Sequence, residues 1–214
     1  MIQPQILAQT SNWILVDKPV GWLSVPSRLG KKDERPCLGY WLEEKMQTKI
    51  SPVHRLDLEV SGLMLFALSD EFHRWANDLF EHHKIDKTYA AITDMPGPIA
   101  LGEEFHWSGK IVRGKKRSFY ADHGKDSLTL AKIERLAADR AEWSLRPQTG
   151  RPHQLRLDLS SRGWPIWGDK LYGSQKEWPS GGIALRAVRL NFKNAADFNE
   201  WQLQEEYHVT GFGI

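Results

Sequence analysis

An α+β fold is predicted by three features of this 214-residue sequence. Segments with strand patterning outnumber helical ones. The clear helical segments are interspersed among them without the strand–helix–strand rhythm of a parallel, doubly wound sheet. Residues 62–68 carry no charge and read as a buried strand, directly after the polar run His54-Arg55-Leu56-Asp57.

The elements follow in order. Trp13-Ile14-Leu15-Val16 is a short apolar strand ending at Asp17-Lys18-Pro19, and Pro19 and Gly21 then force a turn. A polar loop over 27–36 carries Arg28, Lys31, Lys32 and Arg35. Leu38, Trp41, Leu42 and Met46 recur at helical spacing and predict a helix over about 38–49. A second helix is predicted over about 70–84. Ser69 is its N-cap, Asp70 and Glu71 lie in its first turn, and Phe72, Trp75, Ala76, Leu79 and Phe80 form its apolar face. Residues 87–92 read as a strand and Met95-Pro96-Gly97-Pro98 as a turn. Residues 103–112 and 118–121 look like hairpin arms around Arg113-Gly114-Lys115-Lys116-Arg117, and 129–136 and 142–145 like further strands. Over 153–162 the pattern is two-sided, because Leu155, Leu157 and Leu159 alternate like a strand while Leu155 and Leu159 also suit a helix. A strand over 183–192 and a polar C-terminal strand complete the chain.

The totals narrow the function classes. The length suits one large domain or two small ones. A net charge of +2 excludes a globally basic, histone-like binder, so any nucleic-acid contact must come from local patches. With Cys37 alone there is no internal disulfide, and the eight histidines show no ligand spacing, so no metal site is expected. Residues 1–12 lack a secretory pattern, and no apolar run approaches the roughly 20 residues of a membrane span. A cytoplasmic protein without membrane contact is expected. Most of the ten tryptophans are expected to fill core and strand surfaces.

Three groups could carry chemistry or binding. Asp57, two residues from Arg55 and next to a buried strand, could act as nucleophile or base, although most aspartates are solvated or capping. Arg156, in Thr149-Gly150-Arg151-Pro152-His153-Gln154-Leu155-Arg156, could keep a carboxylate ionised in a desolvated pocket or form a surface ion pair. Lys110, Arg113, Lys115, Lys116 and Arg117, with Phe119 and Tyr120 behind them, suit either a solvated loop or a phosphate-gripping hairpin. Tyr89 on its strand reads as packing on position alone. No Gly-x-Ser-x-Gly elbow, P-loop or dinucleotide fingerprint is present.

Taken together, these segments resemble the RluA-type family of pseudouridine synthases. The resemblance rests on several motifs in order: Leu15-Val16-Asp17-Lys18-Pro19 with Gly21; His54-Arg55-Leu56-Asp57 with Ser61-Gly62-Leu63; Lys87, Tyr89 and Ala91; Thr149-Gly150-Arg151 with His153-Gln154-Leu155-Arg156; and Gly163, Pro165-Ile166, Gly168-Asp169 and Tyr172-Gly173. It covers about residues 12–193. Val60, Pro152, Asp158 and Arg186 depart from the family pattern, the last two standing where histidine is usual.

The resemblance implies a single catalytic domain over 1–214, without an S4 domain. Its mostly antiparallel mixed sheet would be flanked by helices and loops, with the active site in a central cleft. It implies isomerisation of a uridine to pseudouridine in a stem-loop of ribosomal or transfer RNA, by chemistry needing no cofactor or metal; a monomer is the default expectation. Asp57 would be the catalytic carboxylate and Arg156 its charge partner. Tyr89 would stack on the uracil, and Arg55 would fill the gap left by the extruded base. His54, Arg151, Arg28 and the basic hairpin would contact RNA. The competing readings are an RNA-binding chaperone that lost the reaction, and a glycosidase using Asp57 and Glu59.

Overall fold

The computed structural model describes residues 2–95, 97 and 99–212. The chain forms two compact units, the first holding residues up to Asp86 and Ala187–Thr210, the second Lys87–Arg186 and the residues from Gly211 on. Both are built on mostly antiparallel strands with few helices, as an α+β fold requires.

In the first unit the strands β1 (Gln5–Gln9), β2 (Trp13–Lys18), β4 (Ser61–Ala67) and β10 (Leu185–Asn191) lie side by side. The short strands β3 (Ser51–Pro52) and β11 (Glu206–His208) pair with β4 and β10. All seven residues of β4 are buried, which explains its uncharged sequence. It runs antiparallel to β2, with Lys18 opposite Gly62 and Trp13 opposite Ala67. The helix α1 spans Leu38–Met46 and α2 spans Asp70–Glu81. On α2, Phe72, Ala76 and Leu79 join a core with Trp13, Leu15, Leu63 and Leu65 from the strands. Full burial of a leucine or phenylalanine side chain contributes roughly 1.5–3 kcal/mol. Ser69 caps α2, its hydroxyl accepting from the Phe72 amide at 3.3 Å.

The second unit is an antiparallel sheet in the order β5 (Asp86–Asp94), β9 (Arg140–Pro147), β8 (Lys125–Leu136), β6 (Glu104–Arg113) and β7 (Ser118–Tyr120). The predicted hairpin is β6–β7, with Arg113 opposite Ser118. The two-sided segment is a helix, α3 (Gln154–Ser160), of which Gln154–Leu159 are all buried.

Several predicted boundaries move. The helix α1 stops at Met46 because Gln47 is left-handed, and α2 stops before His82. The strand β8 starts four residues earlier than expected, and β1 and β3 were not foreseen. Within the predicted turn at 95–98, Pro96 and Pro98 lie outside the described residues. All ten tryptophans make ring contacts with other aromatics, in groups such as Trp13–Phe72–Trp75–Trp201 and Trp107–Trp143–Trp164.

Candidate functional site

Asp57 lies half-buried in the loop between β3 and β4, in the first unit. Val53, Leu56 and Val60 of that loop are buried and anchor it, while Arg55 is exposed. The turn after β2 clamps the loop from one side. The Gly21 amide donates to the Leu58 carbonyl at 2.9 Å. Ser24 Oγ donates to the Leu56 carbonyl at 2.6 Å and accepts from the Leu56 amide at 3.1 Å. The Val60 amide donates to the Asp57 carbonyl at 3.1 Å, which turns the chain into β4. His54 holds the start of the loop. Its Nε2 accepts from the Leu65 amide at 3.0 Å, so its ring proton sits on Nδ1, and the ring stacks on Phe80.

Lys18 at the end of β2 has no exposed surface and donates to the carbonyls of Pro19 at 3.1 Å and Trp22 at 2.9 Å. Burial pushes its pKa down, while the carboxylates of Asp57 and Glu59 pull it up, leaving it at about 8. A cation thus stands within electrostatic reach of Asp57 inside the first unit. Sequence alone marks Lys18 as a strand end and a member of the first motif but not as a site residue, since that value comes from burial.

In the second unit Tyr89 sits on β5 opposite Leu145, which is opposite Ala131 on β8. Cross-strand partners share a face, so Tyr89 projects on the face of Thr129, where α3 packs through Asp158. The helix that carries Arg156 therefore packs on the face of this unit's sheet from which Tyr89 projects. Arg156 is 3% exposed and is gripped in two places by Asp169, itself 1% exposed. Nε donates to Oδ2 at 2.7 Å and Nη2 to Oδ1 at 2.8 Å. Such a fork fixes the guanidinium plane. Tyr172 lies beneath it, with the guanidinium carbon 5.3 Å from the ring centre. Asp169 had no assigned role in the sequence reading, although Gly168-Asp169 stands in the last motif.

Gln154 organises the Thr149-Gly150-Arg151 loop. Its Oε1 accepts from Thr149 Oγ1 at 2.8 Å and from the Arg151 amide at 3.0 Å, and its Nε2 donates to Thr129 Oγ1 at 2.9 Å. Asp158 accepts from the hydroxyls of Tyr120 and Thr129. Burial raises its pKa, and the two hydroxyls oppose that rise. The departure from histidine at this position thus places an acceptor between two donors.

The basic cluster divides by strand alternation. Arg113 shares a face with Ile111 and, through its partner, Ser118, and its Nη1 donates to His153 Nε2 at 3.0 Å. Lys110 projects on the opposite face, together with Val112 and the exposed Phe119. Lys115, Lys116 and Arg117 are exposed in the turn, which the Gly114 amide closes onto the Arg117 carbonyl at 3.0 Å. The Arg151 side chain donates from Nε to the Asp126 carbonyl at 2.8 Å. In the first unit Arg28 is exposed, whereas Arg35 in the same loop is held by Asp33, whose pKa it pushes strongly down. Among the described residues no group of three or more His, Cys, Asp or Glu side chains could hold a metal ion. No helix among them is long and apolar enough to cross a membrane.

Residues 12–161, which contain Asp57, Tyr89 and Arg156, match the family model described as RNA pseudouridylate synthase. The chain belongs to that family. It is an isomerase family. The chain is 33% identical to a tRNA pseudouridine synthase C of Haemophilus ducreyi over 78% of its own length and 73% of the relative's. It is 30% identical to the dual-specificity RNA pseudouridine synthase RluA of Pasteurella multocida, over 92% and 89% of the two chains. Among solved structures, the human RNA pseudouridylate synthase domain containing 1 superposes with a TM-score of 0.74 at 21% identity, covering 97% of this chain and 83% of that one, a likeness of fold.

Proposed function

We propose that this chain converts a specific uridine to pseudouridine within a stem-loop of ribosomal or transfer RNA, with Asp57 as the catalytic carboxylate. The observation that supports the reading is that Asp57 lies within the residues matching the family model, on a loop clamped by Gly21 and Ser24. The RNA classes follow the names of the relatives, one a tRNA enzyme and one of dual specificity.

The reaction breaks the glycosidic bond between N1 and the sugar, turns the uracil, and joins C5 to the same sugar carbon. The C5 proton is released and N1 takes one up, so atoms balance without a redox partner. A stacked base must first be extruded, at a cost of a few kcal/mol that is smaller in a loop than in a duplex. Arg55, exposed two residues from Asp57, would fill the vacated position. Tyr89 would stack on the uracil. Arg156 would supply the charge partner of the catalytic carboxylate, with its plane held by Asp169. These roles rest on the motif positions of the three residues and on what each residue's own unit does to it.

The test is tritium release from C5-tritiated tRNA and ribosomal RNA. Wild-type chain should release tritium from at least one of them. Asp57→Asn should abolish release while binding the same RNA with little change. Release at the wild-type rate by the variant would sink the assignment of Asp57. Binding without release by the wild-type chain would favour the RNA-binding chaperone, and free uracil among the products would mark a glycosidase.

A further inference from the structure

We propose that His153 is a positioning residue that couples the RNA-gripping hairpin β6–β7 to the guanidinium of Arg156. The inference rests on the reading of the hairpin as an RNA contact and of Arg156 as catalytic. Its basis is a closed circuit of hydrogen bonds within the second unit.

The circuit begins at Arg113, whose Nη1 lies 3.0 Å from His153 Nε2. A guanidinium only donates, so Nε2 must be the acceptor and the ring proton must sit on Nδ1. Nδ1 lies 3.1 Å from Tyr172 Oη and therefore donates to it. The Tyr172 hydroxyl donates in turn to the Ser118 carbonyl at 3.3 Å and accepts from the Ser118 amide at 2.8 Å. Ser118 is the residue directly opposite Arg113 across the hairpin. The chain of donors thus leaves the hairpin on one strand and returns on the other. Ser118 Oγ adds a second tie, donating to the Pro152 carbonyl at 2.6 Å, next to His153.

Tyr172 is the junction with the catalytic side. Its ring supports the Arg156 guanidinium, and its amide donates at 3.1 Å to the carbonyl of Asp169, the residue that grips that guanidinium. Burial raises the Tyr172 pKa and keeps the hydroxyl protonated for its role as donor. His153 itself is held in the left-handed region at φ 55°, an uncommon conformation for a residue other than glycine, and that places its ring between the two partners. An RNA phosphate that draws on Arg113 therefore pulls on His153, Tyr172 and the setting of Arg156.

The experiment measures the single-turnover rate at saturating RNA, and the RNA Kd separately, for His153→Asn, Arg113→Ala, the double variant and Tyr172→Phe. Asparagine tolerates the left-handed backbone but cannot span both partners. Misplacement of a catalytic group by less than an ångström predicts an approximately tenfold slower step for His153→Asn. The Kd should change less than about twofold, because no phosphate contact is removed. Arg113→Ala should slow the step as well as weaken binding, and the double variant should be no slower than His153→Asn alone. Tyr172→Phe keeps the ring under Arg156, removes the hydroxyl, and should reproduce the slower step even if His153→Asn fails to fold. A wild-type rate in Tyr172→Phe, or rate losses of Arg113→Ala and His153→Asn that multiply, would overturn the coupling. Absence of tritium release from the wild-type chain would instead overturn the functional reading on which it rests.

Discussion

Lys18 is a lysine with no exposed surface, placed between backbone carbonyls and within reach of two carboxylates. Its pKa of about 8 lies below the ordinary 10.5, so the sign of the linkage is settled. Between those two values the unfolded chain holds a proton that the folded chain has released. Stability from this group therefore rises as pH goes from 8 to 10.5, by an amount on the order of 3 kcal/mol, and the full cost of burying the charge persists below 8. Lys18→Met keeps the stem and removes the charge. It also leaves the Pro19 and Trp22 carbonyls without this donor, a loss of about 1–3 kcal/mol that offsets the gain at neutral pH. The clean readout is the slope. Urea unfolding at pH 7, 8, 9 and 10 should show wild-type stability rising relative to Lys18→Met, and parallel curves would mean that folding does not lower the pKa of the buried amine. Residues of this kind are the least legible in sequence. Asp57, Tyr89 and Arg156 stood out through motif order, whereas Asp169, Gln154 and Ser24 act through partners that only folding brings near.

Among the elements, β4 is the most exacting. Gly62 at its start has φ 116°, and a Cβ there would lie 2.2 Å from the carbonyl oxygen and 2.5 Å from the amide nitrogen of Ala187 on β10. Both contacts are with backbone, so no rotamer change relieves them. Gly62→Ala should therefore destabilise by several kcal/mol, beyond the 1–3 kcal/mol of ordinary overpacking. Because Gly62 follows the Asp57 loop directly, activity at permissive temperature should fall with it. A thermal midpoint within two or three degrees of wild type, roughly 1 kcal/mol at this size, would show that β10 can yield. Elements were legible where their signals were local. The α2 helix carried a serine cap and a one-sided apolar face, and both are present in the fold. The α3 helix was ambiguous because six consecutive buried residues erase the contrast between faces on which periodicity depends. The β1 strand was missed because an edge strand with Gln5 and Gln9 exposed looks like loop. The overshoot of α1 has a similar source, since Gln47 is not a residue type that announces a left-handed stop.

At the scale of the whole molecule, the chain's +2 conceals a division of charge. The first unit has 12 basic and 16 acidic residues, a net −4, and the second has 17 basic and 11 acidic, a net +6. A polyanion should therefore engage the second unit, where the β6–β7 turn displays Lys115, Lys116 and Arg117. Each phosphate contact releases condensed counterions, and log Kobs falls against log salt with a slope of about −0.9 per contact on duplex and about −0.7 on single strands. If both lysines touch phosphates, Lys115→Ala with Lys116→Ala should weaken binding at low salt and make the slope shallower by roughly 1.4–1.8. Lys45→Ala with Lys49→Ala changes the net charge equally but lies on the acidic unit, at the end of α1 and just beyond it. That pair should leave the slope unchanged. Equal shallowing by both pairs would mean that total charge, and not the hairpin, governs RNA binding. No change from the Lys115 and Lys116 pair would remove the turn from the RNA interface.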